Sequence, residues 1–315
     1  MADAALTRAP EAIVRSPGYW STVLRRFFRD PVAVGALIVI LLIVLMALLA
    51  PWIAPGDPYK GMALRRLKPP GTEGFPLGTD ELGRDMLTRL IYGARLSLLM
   101  GVTPVFLALF FGSLIGITAG YVGGWVNSIL MRTMDVFFAF PSVLLAIALA
   151  GAMGDGGKFA AVWATINMVL PVELSPVIFT GLLALTIVFV PPIARVAESV
   201  TTSMRGREFV EAARASGAGS LSIIRHHILG NVLGPIFVYA MSLIAVCMIL
   251  ASGLSFLGLG VKPPEPEWGL MLNTLRTAIY TQPLLCALPG IMIFITSISF
   301  NLMTDGLRSA MDIKA

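Results

Sequence analysis

The sequence predicts an all-α, polytopic membrane protein with six transmembrane helices, and three observations carry that prediction. First, 57% of the 315 residues are hydrophobic and only 13% are charged, against about 25% charged in soluble domains. The mean hydropathy is +0.84. Second, the apolar residues gather into runs long enough to cross a bilayer, since about 20 helical residues cover a ~30 Å hydrocarbon core. Third, one long polar segment, 204–231 (MRGREFVEAARASGAGSLSIIRHHILGN), lies between two of these runs. A few residues would suffice to join two spans, so a charged segment of that length calls for a partner.

Residues 1–31 form a polar arm carrying Arg8, Arg15, Arg25, Arg26 and Arg29. Trp20, Phe27 and Phe28 among these arginines predict an amphipathic approach to the inner membrane surface. The arm is long for a signal peptide. The apolar run after it leads into Pro51-Trp52-Ile53-Ala54-Pro55 rather than a small-residue cleavage site, so the first span, 32–53, is expected to be retained. The arginines before it predict a cytoplasmic N-terminus. Residues 54–95 then read as an extracytoplasmic loop with an interfacial helix. Thr79 is placed as its cap and Asp80-Glu81 as its first turn. Leu82, Met86, Leu90 and Ile91 form the apolar face, and Glu81, Arg84, Asp85 and Arg89 the other.

Residues 96–304 form a core of five spans. The stretch 96–131 has no charge and carries Gly112, Gly116, Gly120 and Gly124. A glycine at every fourth position gives one smooth face for another helix, in the same subunit or across a dimer. Gly123-Gly124 is placed in the turn. The third span begins at Arg132 and Asp135, expected to pair one turn apart, and runs to Met153; Pro141 kinks or begins it. Residues 159–172 are apolar but too short to span, and read as an outer re-entrant or interfacial piece. The fourth span is 176–193, with Pro191-Pro192 near its inner end. The fifth is 228–252, and an outer loop, 253–282, carries Pro263, Pro264, Pro266 and Trp268. The sixth is 284–303, and 305–315 form a cytoplasmic tail. Six spans put both termini and the 204–231 loop on the inner side. Most arginines agree, although Lys60, Arg65, Arg66 and Lys68 lie in the first outer loop.

Within the polar loop, 208–216 reads as a helix because Ala212, Ala213 and Ala215 are strong helix formers. Gly217 is its C-terminal stop. Ser220 is placed as the cap of a second short helix through Leu221, Ile224 and Ile228. Arg207, Glu211 and Arg214 share one side at three- and four-residue spacing. Phe209, Ala212, Ala213 and Ser216 offer a small, nearly flat surface. A solvated loop helix is the plain alternative.

Several chemistries are missing from the sequence. There is no G-x-x-x-x-G-K-[ST] loop, no H-E-x-x-H and no G-x-S-x-G elbow. His226 and His227 are adjacent, about 100° apart on a helix, and cannot bind one metal from one face. Cys247 and Cys286 sit in or beside apolar spans and read as packing residues. No catalytic residue, metal site or cofactor is therefore expected in this chain. The net charge of +5 is read by its location, not as affinity for nucleic acid. The spans are poor in the ionisable relays that ion-driven transporters need.

Four ordered motifs carry a resemblance. Glu211-Ala212-Ala213, Gly217 and Ile228-Leu229 resemble the EAA loop of ABC importer permeases. The stretches 77–85 (LGTDELGRD), 254–269 (LSFLGLGVKPPEPEWG) and 300–308 (FNLMTDGLR) resemble signatures of the dipeptide/oligopeptide/nickel subfamily, in its C-type permease. The resemblance covers roughly 31–312. There are two departures: the family proline after Ile-Leu is Gly230 here, which is expected to break the helix in its place, and 159–176 is longer than usual. The resemblance implies a type I ABC importer permease fold in a bacterial inner membrane. It implies a second homologous permease, two ATP-binding subunits that hold the ATP and Mg, an extracytoplasmic substrate-binding protein, and a lipid bilayer around them. It implies ATPase coupling through Arg207, Glu208, Glu211, Ala212, Ala213, Arg214 and Gly217. It also implies binding-protein docking around Thr79, Asp80, Glu81, Arg84, Asp85, Pro263, Pro264 and Trp268. A stand-alone secondary transporter or channel is the competing reading. Peptides, glutathione, nickel chelates and sugars all remain open as solutes.

Overall fold

Asp30 and Pro31 set the start of the first long helix. The Asp30 carboxylate accepts from the backbone N–H groups of Val32 (2.9 Å) and Ala33 (3.2 Å), and Pro31 fills the first position, where no N–H is needed. A computed structural model describes residues 19–153 and 175–312. Among these, α1 is Tyr19–Phe27, α2 Pro31–Leu48, α3 Met86–Val122, α4 Gly124–Phe138 and α5 Ser142–Met153. Then follow α6 Pro176–Arg205, α7 Glu208–Ala215, α8 Leu229–Phe256, α9 Trp268–Leu275 and α10 Pro283–Met311. Helices α2, α3, α6, α8 and α10 are each long and apolar enough to cross a membrane. The pair α4–α5 passes the same test of length and apolarity when the two are taken together, which brings the spans among the described residues from five to six; the pair is bent by 91°, where Pro141 denies the helix a backbone donor.

The interfacial helix expected from Thr79 does not form. Gly83, at φ +74°, reverses the chain, and the Asp80 carboxylate accepts from the N–H groups of Leu82 and Arg84, both at 2.9 Å. Such local side-chain bonds compete with helix formation. The helix begins instead at Met86, capped by Asp85, which accepts from Thr88 N–H at 2.8 Å. Leu90 and Ile91 thus belong to the first turns of the second span.

The glycine stripe packs within the subunit. A Cβ on Gly112 would lie 2.9 Å from Ile193 Cγ2, one on Gly116 2.5 Å from the Ala197 Cβ, and one on Gly120 2.7 Å from the Glu198 carbonyl oxygen. All three neighbours are on α6, so α3 and α6 meet backbone to backbone. This contact carries α6 past the predicted inner end at 193, to Arg205. Gly123 alone stands in the turn; Gly124 opens α4, with no atom near the place of a Cβ, and takes no part in this contact.

Four further expectations are corrected. Asp135 pairs with Arg195 of α6 (Nε to Oδ1, 3.2 Å), not with Arg132, and Arg195 also stacks 4.8 Å from the Phe138 ring centre. Ser220 is the first residue of a single turn, Ser220–Ile223, whose cap position is Gly219. That turn runs through a π-helical turn, Ile224–Ile228, straight into α8. The irregularity therefore precedes Gly230, which lies inside the helix. Helix α10 continues to Met311, so most of the expected tail is helical. Residues 159–172, read as a re-entrant or interfacial piece, lie outside the described residues.

Candidate functional site

At one end of the molecule α6 hands over to α7. Arg205 donates to the Val122 carbonyl (3.2 Å), which ties the end of α6 to the end of α3. Gly206 then breaks the helix, and Arg207 takes an extended conformation as the first residue before α7. Val210 is fully buried and seats α7 on the core. Its neighbours on the outer side, Arg207, Glu208, Phe209, Glu211, Ala212 and Arg214, are exposed, while Ala213 is half-buried against the core. The far end closes as the sequence predicts: Gly217 has φ +83°, its N–H donates to Arg214 O (3.0 Å), and Ala218 N–H donates to Ala213 O (3.1 Å). Phe209 packs 6.2 Å from the His227 ring, which joins α7 to the π turn ahead of α8.

The charges on α7 suit its helix dipole, with Glu208 and Glu211 in the first turn and Arg214 in the last. Among the described residues, no ion pair engages Glu211 or Arg214 within 4.0 Å. A notch of about 510 Å³ opens beside the helix between Met204, Arg207, Glu208, Phe209 and Asn231. The arrangement is a short, firmly seated helix whose outer face is polar, flat and uncommitted.

At the other end of α3 the loops 54–85 and 257–267 form a cap, which holds the second set of sequence-predicted residues. Asp80 binds Arg84 (Nε to Oδ2, 2.6 Å) and Arg89 (Nε to Oδ2, 3.3 Å), and Arg84 also reaches Glu81 at 3.2 Å. Arg89 donates to the carbonyls of Pro58 (2.9 Å), Pro264 (3.2 Å) and Glu265 (3.3 Å), stapling both outer loops to the start of α3. Thr79 accepts from Lys68 N–H (2.9 Å) and donates to Arg65 O. Tyr59 donates to Glu265 (2.9 Å); burial, reinforced by that carboxylate, pushes its phenol up to about 12.

Beneath this network lies Glu267. It caps α9 through the N–H groups of Gly269 and Leu270, both at 2.8 Å, and accepts from Ser97 at 3.1 Å. Burial raises its carboxyl above the ordinary range, against the pull of these hydrogen bonds and of Ser255. Trp268 follows it, also fully buried.

Thr79, Asp80, Arg84 and Trp268 are therefore the interior of the cap. Glu81 and Asp85 are half-buried, and Pro263 and Pro264 are on the surface. The α7 set and the cap set lie at opposite ends of α3, whose 37 residues span about 55 Å at ~1.5 Å per residue. Sequence reasoning missed Val210, Glu267 and the Arg195 partner of Asp135. The cap role of Glu267 had a signal, an acid directly before an apolar Trp-Gly-Leu start. Val210 had a weaker one, as the β-branched residue within an otherwise polar and alanine-rich helix.

Residues 112–314 match the model of a family described as binding-protein-dependent transport system inner membrane component. Residues 18–70 match that of the N-terminal TM domain of oligopeptide transport permease C. The di/tripeptide transport system permease protein DppC of Pseudomonas aeruginosa (strain UCBPP-PA14) is 38% identical over 312 residues, covering 97% of this chain and 95% of its own. The glutathione transport system permease protein GsiD of Pectobacterium atrosepticum is 37% identical over 301 residues, covering 96% and 92%. Among solved structures, the MetNI methionine ABC transporter in an inward-facing conformation aligns with a TM-score of 0.53 and 14% identity, over 71% of this chain and 97% of that one. At that identity the likeness is one of fold.

Proposed function

Since the chain belongs to the family of binding-protein-dependent transport system inner membrane components, we propose that it forms half of a translocation pathway for short peptides or glutathione-like solutes and takes its driving force through α7. The peptide and glutathione relatives, at 37–38% identity over nearly the whole chain, support that solute class. A second homologous permease supplies the other half. An extracytoplasmic binding protein delivers solute to the capped end. Two separate ATP-binding subunits, holding ATP and Mg, sit against the α7 end, which places both termini in the cytoplasm.

The observation that carries this reading is the seating of α7. Val210 seats α7 on the core beside the end of α6, and the Arg205–Val122 bond ties that end to α3, while Glu208, Glu211, Ala212 and Arg214 face outward. A push on that face is transmitted to two membrane spans rather than absorbed by a loop. Ala212 permits close approach, Glu211 supplies a charge for a basic groove, and Gly217 supplies the turn. At the other end, Pro263 and Pro264 present the surface, and Thr79, Asp80, Glu81, Arg84, Asp85 and Trp268 set the shape of the cap beneath it.

The test is solute-stimulated ATP hydrolysis by the co-expressed complex in lipid, wild type against Glu211→Arg combined with Gly217→Leu. The proposal expects the complex to assemble and stimulation to collapse. Transport by this chain purified alone would instead establish a stand-alone transporter. Competition of labelled dipeptide uptake by glutathione separates the two solute classes.

A further inference from the structure

The ends of α3, α8 and α10 nearest α7, which the proposed function puts on the cytoplasmic side, leave an apolar cleft of about 880 Å³. Phe106, Phe110 and Leu114 of α3 form one wall, Leu233 and Phe237 of α8 the other, and Trp20 of α1 closes the end. Along α3 the cleft runs from Phe106 to Thr118, about 18 Å at ~1.5 Å per residue. One leaflet of a ~30 Å hydrocarbon core is about 15 Å deep. The cleft therefore matches the acyl region of the leaflet on the α7 side.

Helix α1 lies where that leaflet meets water, and it has three faces. Val23 and Phe27 are buried against Ala33 and Ala310. Trp20, Leu24 and Phe28, at four-residue spacing, are 56%, 53% and 60% exposed, a stripe of large apolar side chains beside the packed face. Arg25, Arg26 and Arg29 lie on the third face, exposed, with Ser21 and Thr22 beside them. Among the described residues, no carboxylate comes within 4.0 Å of the three arginines, and α1 itself contains no acid. A protein seated in the cleft would have to bring acidic groups to this level. Anionic headgroups are already at that depth, and each arginine near such a surface is worth about a fivefold enrichment.

We propose that this cleft and α1 together bind an anionic phospholipid, with an acyl chain between α3 and α8 and the headgroup held by Arg25, Arg26 and Arg29. Trp20 marks the junction of chain and headgroup, as tryptophan does at membrane interfaces generally. The lipid fills the space between α1, α3 and α8 beside the turn at Leu221 and Ile224 that leads from α7 into α8, so its occupancy stiffens that end of the molecule.

The experiment uses the assembled complex in phosphatidylcholine nanodiscs doped with acyl-brominated phosphatidylglycerol or, separately, acyl-brominated phosphatidylcholine. The tryptophan fluorescence lost in Trp20→Phe isolates the Trp20 signal. The proposal expects that signal to be quenched at least about fivefold more effectively by the anionic lipid. It expects the difference to vanish when Arg25, Arg26 and Arg29 are all replaced by glutamine, a change at exposed positions that leaves the Val23 and Phe27 packing in place. Equal quenching by both lipids means annular lipid only and overturns the proposal. No quenching by either means a protein occupies the cleft, which also overturns it. A preference that survives the triple substitution removes α1 as the headgroup site.

Discussion

The indole N–H of Trp268 donates to the carbonyl oxygen of Leu90 at 3.0 Å, joining the start of α9 to the first turns of α3. The ring lies against Gly93, where a Cβ would come 2.9 Å from Trp268 Cδ1. Removing so large a buried ring costs about 3–5 kcal/mol, and losing the hydrogen bond alone about 1 kcal/mol. In thermal unfolding of the solubilised complex, Trp268→Ala is expected to melt well below Trp268→Phe, and Trp268→Phe slightly below wild type. If Trp268→Ala melts with wild type, the cap is not held from inside.

Arg89 is the second joint of the cap. It meets Asp80 and three carbonyls drawn from both outer loops. Arg89→Met leaves Asp80 with one fewer cation and the carbonyls without a donor, a loss of about 3–5 kcal/mol for a broken buried pair. Lysine keeps the charge but not the fork of donors, so Arg89→Lys is expected to fall between. Protease sensitivity of the 54–85 loop reads the effect directly: the order of cleavage should be methionine, lysine, wild type. Equal cleavage of all three would remove the staple role.

Glu267 gives the cap a pH dependence. Burial raises its carboxyl from an ordinary 4.5, so the folded chain holds that proton more tightly than the unfolded one. The sign follows from linkage. The contribution to stability is complete below the unfolded carboxylate range and is lost as pH rises through the raised value. Glu267→Gln, which keeps an acceptor for Gly269 and Leu270, is expected to flatten this part of the stability-against-pH curve. The measurement is melting temperature across the acid-to-neutral range, and parallel curves for the two proteins would count against it.

The α3–α6 contact makes a sharper prediction. Gly116 faces the Ala197 Cβ at a distance no side chain tolerates, and the neighbours on its other side are backbone atoms that have no rotamer to change. Gly116→Leu is expected to abolish accumulation of the folded subunit. Gly124→Ala adds a Cβ that meets no neighbouring atom but sits at φ +54°, so it costs only the strain of a left-handed residue, about 1 kcal/mol. Size-exclusion profiles of membrane extracts distinguish the two.

The spans were legible because hydropathy is summed over many residues, and one charge does not reverse it. The 208–215 helix was legible because its alanines and Gly217 are local signals. The outer cap was not. In 79–89 the acids and arginines fit an amphipathic helix by spacing, yet Gly83 and the Asp80 side chain turn the chain, and Arg84 and Arg89 point inward. Arg84 finds local partners in Asp80 and Glu81, but the carbonyl partners of Arg89, on Pro58, Pro264 and Glu265, are remote in sequence, and no local pattern encodes them. Asp135 failed for the same reason: its partner is 60 positions away. Arg195 and Glu198 also hid the length of α6, because charges normally end a span, and here they fall on a helix whose other face is held by the glycines of α3.

Val210 separates seating from contact at α7. It is fully buried, so it touches no external partner, while Glu211 and Ala212 beside it are exposed. Val210→Ala removes two methyl-sized groups, roughly 1–2 kcal/mol of burial. Val210→Asp puts an unpaired carboxylate in the same space and unseats the helix. Neither changes the outward surface. If α7 transmits force only while fixed to α6 and α3, solute-stimulated ATP hydrolysis should fall by on the order of tenfold in Val210→Asp, since about 1.4 kcal/mol corresponds to a factor of ten. Basal hydrolysis and subunit association should persist. Glu211→Arg changes the exposed face instead: stimulation should fall in a complex that still assembles, while α7 stays as protected from proteolysis as in wild type. Full stimulation in Val210→Asp would mean that α7 works as a loose tether and that its seating plays no part in coupling.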